Sequence, residues 1–314
     1  MMMVVRILTA SGPLAMTLLL FVGCLFLLKR PVQKVRGSDH KPLRVIIFGR
    51  HCHVWMAALA PEASVWSRLP DVKMVCNVHS RNKLRRMKER EVDYRTVIIP
   101  LMEHHIAKCP KKYHSLVPCK RALGLLGNKA QFASYVERHN LDSFVPRHYE
   151  SVDDIAWPAV LKRADLNSGR GIEIVRSIEH FEDLLKTDLW KNQKYVLQEL
   201  IPGKFDYVTH CICKNGRILW ASTFEYEMSS AKEIRTPDNV KFMKPSVASP
   251  STMNQMEKLL APLRFNGPCN FDYKIDAQGE MKVFEINPRL GGSLMLPENV
   301  DHLGNALSCI IDNV

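Results

Sequence analysis

Apolar residues gather first in one unbroken block. Residues 7–28 carry no charge and run through Leu14, Leu18, Leu19, Leu20, Phe21, Leu25 and Phe26 directly into Lys29 and Arg30. As a helix this stretch is about 33 Å long, enough to cross the hydrocarbon core of a bilayer, and it predicts an N-terminal transmembrane helix. A cleaved signal peptide would have a shorter apolar core and a small-residue cleavage site. Lys29, Arg30, Lys34, Arg36, Lys41 and Arg44 follow the block and only Arg6 precedes it, which predicts a single-pass protein with its body in the cytoplasm.

Beyond a polar linker over 31–40 the pattern shortens. Leu43 to Gly49 is an apolar run ending in glycine, and Val72 to Val78 and Thr96 to Pro100 repeat the run. With a helical stretch over 54–69 between the first two, they predict a small doubly wound parallel sheet over 42–121, with ligand-facing loops at 49–53 and 101–105. A helix is expected over 129–139, with Phe132, Tyr135 and Val136 on one face. Strands follow at 159–162, 172–175, 195–200, 207–214 and 218–223, the last pair joined through Asn215-Gly216. A helix over 252–263 precedes two final strands, 270–275 and 281–286. The fold class is thus α/β followed by strand-rich α+β, behind a 1–41 anchor and linker.

Composition narrows the options. The 314 residues are 46% hydrophobic with a net charge of +12, which excludes a disordered polar chain and a polytopic membrane protein and leaves room for two or three packed lobes. The densest basic run, Arg81 to Arg90, has no interleaved aromatics, so nucleic acid is not expected as a partner; the run reads as an exposed helix face or a contact for anionic headgroups. Nine scattered cysteines read as reduced thiols, with Cys211 and Cys213 on one strand face. His51-Cys52-His53 lacks partners at metal-ligand spacing and reads as a loop or helix start.

The chemistry concentrates late in the chain. Asp272 and Glu285 fall near facing ends of the last two strands, with Asn287 two positions on. Hard oxygen donors so placed suit Mg²⁺, although alone they are equally consistent with solvated hairpin carboxylates. Upstream, Lys162 ends a strand, and Ser168-Gly169-Arg170-Gly171 joins it to the next. Small residues let backbone amides approach phosphate oxygens while an inward lysine supplies charge.

In that order these residues resemble the ATP-grasp superfamily, over roughly 42–310, and are most similar to the branch of carbamoyl-phosphate synthase large chains and carboxylate-amine ligases. The resemblance implies an ATP-grasp domain over 122–314, with a lid over about 128–200 and a metal-binding part over about 201–314, preceded by the Rossmann-like lobe. Leu126-Gly127-Asn128-Lys129 looks like the opening signature, and Pro158 to Lys162 resembles the strand with the second phosphate lysine. Ser168 to Gly171 is similar to the mobile glycine loop. Gln198-Glu199-Leu200-Ile201 resembles the adenine hinge, with Asp206 as the ribose carboxylate, although Phe205 stands where many relatives have glutamate. The most specific match is Asn270-Phe271-Asp272-Tyr273 with the decapeptide Phe284 to Ser293.

By this resemblance Asp272, Glu285 and Asn287 bind Mg²⁺, with Mn²⁺ as a substitute. Arg289 stabilises the transferred phosphoryl group, and Asn270 stands where several ligases place a basic residue. A further phosphate contact is expected from Lys232, Arg235, Lys241 or Lys244, and Glu103 is a candidate for the substrate side. The implied activity is ATP-dependent joining of a small-molecule carboxylate to an amine through an acylphosphate. A nucleotide-binding scaffold without ligase chemistry, and a phosphoryl-transferring kinase, are the other readings.

Overall fold

The structure is a computed structural model that describes residues 41–87, 94–110, 113–164, 171–229, 234–236 and 239–314. The expected transmembrane helix over 7–28 lies outside these residues. Among the described residues no helix is long and apolar enough to cross a membrane. The single-pass placement, the cytoplasmic orientation drawn from it and the headgroup reading of the basic run are therefore withdrawn.

The first apolar runs form β1 (Leu43–Phe48), β2 (Val72–Val78) and β3 (Arg95–Pro100), parallel in the order β2-β1-β3. Every residue of β1 is buried because both faces are covered. The helix expected over 54–69 divides into α1 (His53–Ala58) and a 3₁₀ turn, Ser64–Arg68. Pro61 lies between them and supplies no amide hydrogen to carry the helix through. Arg81, Lys83 and Arg86 of α2 (Arg81–Arg86) are exposed, as expected of a solvated face.

A four-stranded antiparallel sheet, in the order β4-β7-β5-β6, contains β4 (His148–Tyr149), β5 (Ala159–Arg163), β6 (Ile172–Val175) and β7 (Tyr195–Glu199). Ala159 and Leu161 enter a core with Phe181 and Trp190, which turns Val160 and Lys162 to the opposite face. The remaining sheet is antiparallel in the order β10-β9-β8-β11-β12, built from β8 (Phe205–Lys214), β9 (Arg217–Met228), β10 (Val240–Ser246), β11 (Gly267–Ile275) and β12 (Met281–Asn287). Asn215 and Gly216 both take positive φ, 53° and 80°, as the tight β8–β9 hairpin requires. β10 was not expected: it is a largely exposed edge strand containing Pro245, and its alternation is weak.

Alternation assigns the two faces of this sheet. Cys211, Cys213, Cys269, Phe271 and Tyr273 pack against Met256, Leu259 and Leu260 of α7 (Pro250–Leu260). Asp206, Val208, His210, Asn270 and Asp272 therefore face the other way. The eight described cysteines are free, in line with reduced thiols. The C-terminal α8 (Val300–Asp312), also not expected, packs Leu303, Leu307 and Ile310 into a core shared with Val45 and Ile47 of β1 and Phe224 of β9, tying the first sheet to the large one.

Candidate active site

The four-stranded and five-stranded sheets face each other across a cavity of about 590 Å³. On its floor β11 and β12 pair Asn270 with Asn287 and Asp272 with Glu285, so all four side chains share one face. A bulge beside Asp272 brings Phe284 and Glu285, which are adjacent in the chain, both to the cavity. Asn287 Nδ2 donates to Asp272 Oδ2 at 3.1 Å and to Asn270 Oδ1 at 3.3 Å, and Asn270 Nδ2 donates to the Arg289 carbonyl at 3.2 Å. Burial and then the neighbouring Asp272 push the Glu285 carboxyl above its usual range, against the pull of Lys129, Lys162 and Arg289. A buried carboxyl whose charge is disfavoured by a second carboxylate beside it is suited by a cation.

Across the cavity, Lys162 lies over the Phe284 ring at 5.2 Å. Burial drives its ammonium down to about 8, with Glu285 opposing the shift only in part. Lys129, at the start of α5 (Lys129–Arg138), also lines the cavity. Of the four basic candidates in the segment after β9, Arg235 enters the cavity, pairs with Asp272 and stacks over Tyr226 at 4.5 Å. Lys244 instead pairs with Glu225 at 2.9 Å, Lys241 is exposed, and Lys232 lies outside the described residues. One guanidinium nitrogen of Arg235 and one carboxylate oxygen of Asp206 are buried without a hydrogen-bond partner.

Glu199, Leu200 and Ile201 form the cavity edge where the chain leaves β7. Gln198 does not reach the cavity; its amide is held by His148 Nε2 at 2.8 Å. Asp206, with Lys274 at 3.5 Å, faces inward. Gly171 takes a φ of 64° and its carbonyl accepts from Arg163 N at 2.8 Å, closing the β5–β6 hairpin. Ser168, Gly169 and Arg170 lie outside the described residues. At the opposite end Arg289 Nε donates to Glu103 Oε1 at 2.9 Å, joining the first sheet's loops to the site.

Ser293, the last residue of the decapeptide, lines the cavity, as do His210 and Tyr226, which no sequence motif marked. His210 Nε2 lies 2.7 Å from Ser293 Oγ, and burial, with Arg289 next in effect, drives its ring down to about 3, so it is neutral. A Cβ on Gly291 would stand 2.2 Å from His210 Cε1, so glycine is required by this close approach. A groove of similar volume, about 610 Å³, lies on the other side of β7. It sets Glu137, Asp142, Glu150 and Glu199 against only Arg147 and Lys282, a balance that repels phosphate. The cavity between the sheets instead sets Lys129, Lys162, Arg235, Lys274 and Arg289 against Glu199, Asp206, Asp272 and Glu285.

No family model and no curated protein matches the sequence. Solved structures do. D-alanine–D-alanine ligase from Bacillus anthracis, complexed with ATP, aligns at 13% identity and a TM-score of 0.55 over 87% of this chain and 97% of that one. The L-amino acid ligase of Bacillus licheniformis aligns at 14% identity and a TM-score of 0.55 over 87% and 77%. The biotin carboxylase domain of Hydrogenobacter thermophilus 2-oxoglutarate carboxylase, with MgADP and bicarbonate, aligns at 17% and 0.51 over 84% and 69%. The chain has the ATP-grasp fold.

The residues present fit both ligands of an ATP-grasp site. Two carboxylates and a carboxamide are hard oxygen donors suited to Mg²⁺. Among the described residues no three His, Cys, Asp or Glu side chains gather to hold a metal by themselves. Such a donor set relies on phosphate and water oxygens for the rest, as Mg²⁺ prefers. The cations and the inward carboxylate oxygen of Asp206 suit a triphosphate and a ribose hydroxyl respectively.

Proposed function

We propose that this protein is an ATP-dependent ligase that joins a carboxylate to an amine. The observation that carries the reading is the cavity itself, with Lys129, Lys162 and Arg235 over the Asp272–Glu285 pair and Arg289 at its far end. The ligase and carboxylase activities of its structural neighbours support it.

In this reading Asp272, Glu285 and Asn287 hold Mg²⁺, which would polarise the phosphoryl oxygens and neutralise charge developing on them. Leu200 and Ile201 receive the adenine, and Asp206 accepts from a ribose hydroxyl. Lys162 has already lost its hydration, so its attraction to phosphate acts in a low-dielectric setting where it is strong. Lys129 and Arg235 share the phosphate charge. Arg289, held at its Nε by Glu103 and at its terminal nitrogens by the Leu290 carbonyl at 3.1 Å and Asn287 Oδ1 at 3.4 Å, offers its remaining N–H groups to the substrate carboxylate and to the phosphoryl group it acquires. The carboxylate attacks the γ-phosphorus and ADP leaves. An amine then displaces phosphate from the acylphosphate, and the chamber must stay dry between the two steps. Asn270, tied to Asn287 and to the Arg289 carbonyl, positions this end of the site rather than supplying charge.

The test is ADP release by the full chain with MgATP and pairs of small acids and amines, followed by the mass of the product. Ligation predicts release that requires both partners and a product of the condensed mass. ADP release without a condensed product, or nucleotide binding without release, refutes it.

A further inference from the structure

A ligase of this kind faces a proton problem. An amine reaches the site at neutral pH as an ammonium ion, and its lone pair is unavailable until a base removes a proton. The nearby carboxylates are engaged or assigned: Asp272 pairs with Arg235, Glu103 with Arg289 and Asp206 with Lys274, and Glu285 is a donor to Mg²⁺ in the reading above. His210 is bonded to Ser293 and lies too far down, at about 3, to take a proton near neutrality. His105 is buried and held at about 4, first by burial and then by His104.

His51 is placed differently. It follows β1 in the loop beside Glu103, because β1 and β3 run in parallel with Phe48 opposite Pro100. Its ring stacks on Trp55 at 4.2 Å, and Trp55 Nε1 would lie 3.8 Å from a Cβ placed on Gly292, which lines the cavity, so His51 stands just outside the lining at this end. Its Nδ1 lies 3.2 Å from Cys52 Sγ. With the Nδ1 hydrogen directed at that sulfur, the Nε2 lone pair is left for a substrate.

We propose that His51 is the general base that deprotonates the amine, a role that rests on the ligation proposed above. His51 Nε2 takes one proton from the ammonium group. The freed lone pair forms the C–N bond at the acyl carbon, the bond from that carbon to the phosphate oxygen breaks, and the departing phosphate takes the second nitrogen proton. The charged and titratable groups facing His51 are Arg289, Glu103, Cys52 and His105. Burial first, then Arg289, hold the ring below its ordinary range against the opposing pull of Glu103, which keeps it neutral and able to accept a proton.

Hydroxylamine tests this, because it is largely unprotonated near neutral pH and needs no base. The full chain and its His51→Gln and His51→Ala variants are given MgATP, an acid drawn from the proteinogenic amino acids, acetate or succinate, and either hydroxylamine or an ammonium-form amine. Hydroxamate is read by iron(III) colour and amide by mass. The expected result is that His51→Gln loses about 100-fold with the amine and nothing with hydroxylamine. The acidic limb of the amine pH profile should move up to the titration of the amine itself, and added imidazole should restore amide formation in His51→Ala. Equal loss with both nucleophiles, or no loss with the amine, overturns the role. If the unaltered chain forms no product from any acid with either nucleophile while still binding MgATP by calorimetry, the ligation reading itself is overturned, and this role with it.

Discussion

Replacing Lys162 by methionine should stabilise the ligand-free protein while destroying nucleotide binding. Lys162 is 8% exposed, and its ammonium is lowered from 10.5 to about 8, mainly by burial. In the unfolded chain the group stays protonated up to 10.5, so between about 8 and 10.5 the unfolded state binds more protons and stability rises with pH. Below about 8 the full penalty of burying the charge is present, about 3 kcal/mol from the size of the shift. Methionine fills a similar volume without charge, and the shift already nets the attraction to Glu285 against the cost of burial. A gain of about 3 kcal/mol raises Tm by about 5 °C at pH 7. The assay is scanning calorimetry of the full chain and K162M between pH 6.5 and 9.5, with and without MgATP. The difference should narrow above pH 8, and MgATP should raise the Tm of the unaltered chain alone. A variant less stable at pH 7, or one whose Tm still rises with nucleotide, refutes the reasoning.

Glu285→Gln should lower turnover by about 100-fold or more and remove the Mg²⁺ dependence of nucleotide binding, read by calorimetry. Because the folded carboxyl of Glu285 lies above its unfolded value, the fold binds more protons than the unfolded chain there, stability falls as pH rises through that window, and the ligand-free E285Q protein should melt higher at pH 7. Gly291→Ala should cost about 1–3 kcal/mol by driving the new methyl into His210, seen as a lower Tm. Arg289→Lys keeps the charge but loses the fork that holds Glu103 while facing the substrate; turnover should fall about 10- to 100-fold, more in kcat than in KM for ATP.

Much of the site was legible because its parts are local in the chain. The β11–β12 hairpin brings Asp272 and Glu285 together by antiparallel pairing alone, and Ala159 to Lys162 marks a strand whose alternation aims the lysine. The first sheet was equally readable, since β1 and β3 are short apolar runs buried on both faces. The reading failed where the sequence signal is weak or the partners are distant. The β10 edge strand is largely exposed and has little pattern to read, and Pro61 divides what periodicity joined into one helix.

The sequence by itself determined the strands other than the short β4 and the edge strand β10, the hairpin, and the residues whose charge and oxygen donors suit a nucleotide and a divalent cation, because these follow from alternation and short spacing. Only the tertiary structure decided that Arg235, rather than Lys241 or Lys244, enters the cavity, that Glu103 meets Arg289 across 186 positions of chain, that His210 meets Ser293 at the cavity wall, and that the His51 loop lies beside Glu103. Those contacts join segments remote in the chain, and packing of α8 between the first and largest sheets, which no local pattern specifies, helps to set them.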